Sequence, residues 1–85
     1  MAFTIPDAAR AQMKQQAAAA GMPYATLVGQ KVYDLQGLVD VLSAELHDAQ
    51  QAGNTKRISE VTEKLARHKA ELDAYKAEQQ AAGSS

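Results

Sequence analysis

Hydrophobic residues recur at alternating steps of three and four along two stretches of the chain. The first stretch runs from residue 25 to 49, at Ala25, Val28, Val32, Leu35, Val39, Leu42, Leu46 and Ala49. The second runs from residue 58 to 75, at Ile58, Val61, Leu65, His68, Leu72 and Tyr75. This heptad spacing predicts two coiled-coil-like helices, each with one stripe that packs against another helix.

Two residues, Gly53 and Asn54, separate the stripes. Glycine readily adopts the left-handed conformation that ends a helix, and Asn54 or Thr55 is expected to cap the next one. A connection this short predicts that the two helices form an antiparallel hairpin. With the turn centred between Gly53 and Asn54, Leu42 faces Leu65 across the hairpin.

A shorter helix precedes the hairpin. Thr4 is expected to cap the amide of Asp7, with Pro6 in the first turn. Gly21 then ends this helix, and Pro23 begins the next at its first position. The pattern predicts an all-α protein with one domain over residues 1–85. Its helices span about 5–20, 23–52 and 55–82, followed by a frayed tail at 83–85.

The small size of the chain bears on how its core is completed. A domain near 85 residues buries only about 60 % of its unfolded surface. The chain has no cysteine, so disulfides and thiolate metal sites cannot add stability. We therefore expect oligomerisation to complete the core.

A second apolar line on the middle helix is the main functional signal, because a two-helix hairpin needs only one stripe. It consists of Tyr24, Leu27, Leu38 and Val41, and Lys31 and Asp34 interrupt it. If the first helix folds back antiparallel on this line, Ile5 reaches Leu38 but Val41 stays uncovered. We interpret the four residues as partner-binding, through self-association or another protein; ordinary surface exposure is the alternative.

The two histidines were considered as sites. His68 occupies a core position of the second stripe, so its protonation would place a charge in an apolar seam; the hypothesis is a pH-sensitive core position, and the alternative is a polar edge tipped to solvent. His47 is expected to approach Glu60 across the hairpin. No His-x-x-x-His or Glu-x-x-His pair accompanies it, so no metal site is predicted.

Charge and motifs argue against several function classes. The net charge is −1, which gives no general attraction to nucleic acid or to an anionic membrane. No apolar run approaches the roughly 18 residues of a spanning helix. The sequence also lacks a phosphate-binding loop and a nucleophile motif. We therefore predict no enzyme activity, no cofactor, no nucleic-acid partner and no membrane partner.

These observations predict a non-enzymatic protein–protein interaction or assembly protein that self-associates through the middle helix. The alternatives are a small-ligand or nucleotide-binding oligomer using Tyr33, Lys31 or Arg67, and an inhibitor of a host protein. In composition the chain is similar to small bacterial and bacteriophage structural and adaptor proteins. The expected location is the cytoplasm, or the virion for a bacteriophage protein.

Overall fold

A computed structural model describes residues 2–84. They form three α-helices: α1 spans Asp7–Ala20, α2 spans Tyr24–Ala52 and α3 spans Thr55–Gly83. The prediction of an all-helical protein is confirmed. The long helices α2 and α3 pack against each other along the hairpin, and the described chain measures 48 × 21 × 20 Å.

A glycine in the left-handed conformation begins each of the two connections between helices. Gly53 has φ 68° and its N–H bonds back to the carbonyl of Gln50, and the side chain of Asn54 accepts a 3.1 Å hydrogen bond from the backbone N–H of Arg57. Gly21 has φ 67° and ends α1 in the same left-handed conformation. Both predicted stops are confirmed, and of the two candidate caps Asn54 is the one that caps α3.

The helix starts differ from the prediction. Pro6 and Pro23 have φ −61° and ψ 145°, so each lies just outside the helix that follows it. The helices therefore begin at Asp7 and Tyr24. Among the described residues, no side chain caps the start of α1, and the predicted Thr4 cap is wrong. Proline tolerates this position because it has no N–H to satisfy.

The core of the hairpin consists of residues from both predicted stripes. Its buried members are Val39, Leu42, Val61, Leu65 and Leu72, with Val32, Leu35 and Leu46 packed against them. Val61 is only 1 % exposed. The buried residues thus recur with the same steps of three and four as the apolar residues in the sequence, as expected when burial of apolar side chains dominates folding.

Helix α1 packs at the open end of the hairpin, where Met13 and Ala17 of the helix and Ile5 just before it are buried. Ile5 borders a depression shared with Ala74 and Ala77 of α3. Leu38, which Ile5 is expected to reach, is 38 % exposed, and that contact stays a prediction. The backbone of α1 lies closer to α2 than to α3, and Arg10 joins α1 to the C-terminal part of α3.

Candidate protein interface

Three large hydrophobic side chains of α2 lie at the surface. Tyr33 is 81 % exposed, Val41 is 56 % exposed and Leu38 is 38 % exposed. Leu38 and Val41 belong to the predicted apolar line, whereas Tyr33 was considered only as a ligand-contacting residue. Single exposed apolar residues are common, but three within nine residues of one helix form a patch. We call Tyr33, Leu38 and Val41 the α2 patch.

The other half of the predicted line lies inside the fold. Tyr24 and Leu27 are half-buried. The hydroxyl of Tyr24 donates a 2.8 Å hydrogen bond to Glu78 Oε2, and Lys14 Nζ lies 5.5 Å from the centre of the Tyr24 ring. Tyr24 therefore joins the three helices, and of the four predicted partner-binding residues only Leu38 and Val41 are exposed.

Glu78 is the centre of a polar network that holds α1. Its carboxylate accepts hydrogen bonds from Arg10 Nε at 2.9 Å and Arg10 Nη2 at 3.0 Å, in addition to the Tyr24 hydroxyl. This two-point Arg–carboxylate geometry is the strong form of an ion pair. Sequence reasoning missed it, because Arg10 and Glu78 are 68 residues apart and neither belongs to a motif.

The network shifts the acid–base equilibria of its members. Hydrogen bonds from Arg10 and Tyr24 hold the pKa of Glu78 below its usual value, although partial burial opposes them. Burial, and then the hydrogen bond to Glu78, raises the pKa of Tyr24 to about 12. Both shifts favour an ionised carboxylate with a neutral phenol. The network is therefore intact at neutral pH.

The two histidines occupy different environments. His68 is half-buried and its Nδ1 lies 3.2 Å from Glu71 Oε1, at ion-pair distance but without the alignment of a hydrogen bond. His47 is exposed. No group of three or more metal-ligating side chains forms within residues 2–84. The pH-sensitive role of His68 stays a prediction.

An open groove of about 520 Å³ lies beside the α2 patch. Its lining is Thr26, Gly29, Gln30, Tyr33, Asp34 and Gln79. Of the three residues considered for a nucleotide, only Tyr33 contributes; Lys31 and Arg67 do not. The one charged lining residue is a carboxylate, so the groove offers nothing to neutralise a phosphate. Its position next to Tyr33 instead extends the surface of the α2 patch.

Comparisons with protein-family models, with curated proteins and with solved structures find no match to this chain. Within residues 2–84, none of the helices has the length and apolarity needed to cross a bilayer.

Proposed function

We propose that this protein is a non-enzymatic adaptor or assembly component that presents the α2 patch to a helix of another protein. The observation that carries the proposal is the exposure of Tyr33, Leu38 and Val41 on one helix whose opposite side forms the core. The helix has two apolar sides, and α3 covers only one of them.

Burial of the patch gives a physical reason for binding. Covering a Val or Leu side chain contributes roughly 1.5–3 kcal/mol, and tyrosine adds a large contact area with few rotatable bonds. Residues spaced three and four apart on a helix are the usual anchors of helix-in-groove recognition. Leu38 and Val41 have this spacing, and Tyr33 lies eight residues, about two helical turns, before Val41.

The test is an unbiased selection of binders from a displayed library of helical peptides. Binders should lose affinity by at least about tenfold for L38D/V41D, because two carboxylates cannot be buried against an apolar partner face. The matched control is S59D/T62D, which places the same two charges at the same spacing on exposed positions of α3. Circular dichroism should show equal helicity for all three proteins.

Binders that ignore L38D/V41D, or that lose affinity equally for S59D/T62D, would refute the α2 patch as the docking face. Self-association through α2, which the sequence predicts, is measured separately by light scattering over about a tenfold range of concentration. A dimer that L38D/V41D dissociates would identify a second copy as the helix that covers the patch.

A further inference from the structure

The surface around Gly37 has an unusual combination of neighbours. On a helix, residues three and four positions away lie next to each other. For Gly37 these are Tyr33 and Val41, four residues away, and Asp34 and Asp40, three residues away. All five residues are exposed. Gly37 therefore lies at the bottom of a shallow notch on the helix surface. The apolar side chains of Tyr33 and Val41 flank it on two sides, and the carboxylates of Asp34 and Asp40 flank it on the other two.

Nothing in the described chain explains a glycine at this position. Apart from its own helix and chain neighbours, no heavy atom of residues 2–84 lies within 4 Å of where a Cβ would stand. Glycine weakens a helix interior relative to alanine. By contrast, a Cβ on Gly29 would stand 2.8 Å from Gln79 Nε2, so the end of the Gln79 side chain would have to move.

We propose that the notch over Gly37 binds an arginine or lysine presented by an amphipathic helix of another protein. The proposal rests on the proposed function and specifies the partner. The aliphatic stem would lie over Gly37 between Tyr33 and Val41, as long basic side chains do on apolar surfaces. The cationic head would then lie within reach of Asp34 and Asp40 and of the face of Tyr33.

The charge of α2 distinguishes this partner from a second copy of the chain. Between residues 24 and 52 there are four carboxylates, at Asp34, Asp40, Glu45 and Asp48, and one cation, Lys31. A second α2 would place its own carboxylates against these, because the same acids border the same patch. A basic helix meets opposite charge instead, which favours both its approach and its correct register.

The notch is part of a longer surface, which favours a helix over a free amino acid. The groove bounded by Gly29, Tyr33 and Asp34 continues from it. From Gly29 to Val41 the helix axis rises about 18 Å at 1.5 Å per residue, a length that three turns of a partner helix would cover. Leu38 lies beside this surface and provides a further apolar contact.

The experiment uses designed helical peptides of about 18 residues and the full chain. All share one leucine face. The first has a central arginine, the second has citrulline in its place, which keeps the shape but removes the charge, and the third has a central glutamate. Binding is measured by fluorescence anisotropy at low and high salt. The arginine peptide should bind about tenfold more tightly than the citrulline peptide, and this difference should diminish with salt. The glutamate peptide should bind most weakly.

Protein variants then locate the site. D34N/D40N should remove the advantage of arginine over citrulline, whereas E63Q/D73N, which neutralises two exposed acids of α3 away from the notch, should keep it. G37A should weaken the arginine peptide by about tenfold while the helicity of the protein rises or stays equal. A loss of binding with unchanged helicity cannot be attributed to unfolding.

Each other result contradicts a specific part of the proposal. Equal binding of arginine and citrulline peptides, both lost in L38D/V41D, would overturn the basic partner but keep the α2 patch as a docking face. Unchanged arginine selectivity in D34N/D40N would overturn the notch. A dimer that L38D/V41D dissociates would overturn it in favour of a second copy. Absence of peptide binding and of library binders at the patch would overturn both this inference and the proposed function.

Discussion

The closed and open ends of the hairpin are stabilised in different ways. Near the turn, Leu42, Val61 and Leu65 form an apolar seam, and an ion pair between α2 and α3, Arg57 to Glu45 at 3.0 Å, is exposed. At the open end, a half-buried carboxylate, Glu78, accepts hydrogen bonds from two other helical segments. One end depends on packing and the other on a polar network.

The difference shows how α1 can be specified with little apolar surface. The apolar positions of α1 are mostly alanine, and only Met13 and Ala17 of the helix itself are buried. Apolar burial is non-directional and gives this helix weak positional preference. The two-point contact between Arg10 and Glu78 is directional, so it selects one position on α3 for a helix that packing alone would hold loosely.

Leu65→Ala should have the largest effect. Leu65 is 7 % exposed in the seam, and truncating a buried leucine removes apolar contact and leaves a cavity, at a cost of about 2–5 kcal/mol. The matched control is Leu38→Ala, which makes the same change at an exposed position and should alter stability by less than about 0.5 kcal/mol. Urea unfolding followed by circular dichroism measures both, and equal losses would contradict the assignment of the seam as the core.

Glu78→Ala should have a smaller and local effect. It removes the acceptor of three hydrogen bonds, and the loss should be about 1 kcal/mol because water screens part of the interaction. Hydrogen exchange should accelerate in α1 far more than around Leu65. The control Glu63→Ala changes an exposed carboxylate of α3 and should leave α1 exchange unchanged. Uniform acceleration throughout the hairpin would show that the two ends are not independent.

The docking of α1 should weaken at both extremes of pH. The pKa of Glu78 is lower in the folded protein than its usual value of 4.5. The carboxylate therefore stabilises the docked α1 fully above pH 4.5, and this stabilisation is lost as the pH falls through the folded pKa. The pKa of Tyr24 is raised from 10.0 to about 12, so its contribution is complete below pH 10 and is lost as the pH rises toward 12.

Tyr24→Phe should remove the part of the high-pH weakening of α1 docking that comes from the phenol, and it should leave the low-pH weakening unchanged. Tyr33→Phe, which changes an exposed ring, should alter neither transition. Amide exchange or NMR line positions in α1 would report both transitions. An alkaline transition of equal size in Tyr24→Phe would assign it to another group.

Arg57→Ala should have the smallest effect. The side chains of Arg57 and Glu45 are 45 % and 40 % exposed, and such pairs contribute no more than about 0.5 kcal/mol. The unfolding midpoint should therefore barely move, and the small difference from the unchanged protein should shrink further as salt is added. A loss as large as that of Glu78→Ala would mean that the closed end also depends on charge.

The features that the sequence predicted are those fixed by local chemistry. The heptad positions Val39, Leu42, Val61 and Leu65 are buried because the period of apolar residues matches the helix. Gly53 ends α2 because its left-handed conformation carries no steric cost for glycine. These properties depend on neighbours within one or two turns, so spacing alone reveals them.

The position of α1 could not be predicted in the same way. The contacts that position α1 come from a distant part of the chain, because Arg10 and Tyr24 meet on Glu78 of α3. No periodicity identifies which of several glutamates an arginine will pair with across 68 residues. The α2 patch is predicted in part, since Leu38 and Val41 belong to the apolar line in the sequence. The notch is recognised only from the structure, because it depends on which residues around Gly37 are exposed.

The separation of Arg10 from Glu78 also has a consequence during synthesis. Translation proceeds at about 5–20 residues per second, so a ribosome takes roughly 3–14 seconds to add the 68 residues between them. Throughout that interval α1 has left the peptidyl-transferase centre without the carboxylate that positions it. A helix whose apolar line is largely alanine exposes little that could aggregate while it waits, and the delay is therefore tolerable for a nascent chain.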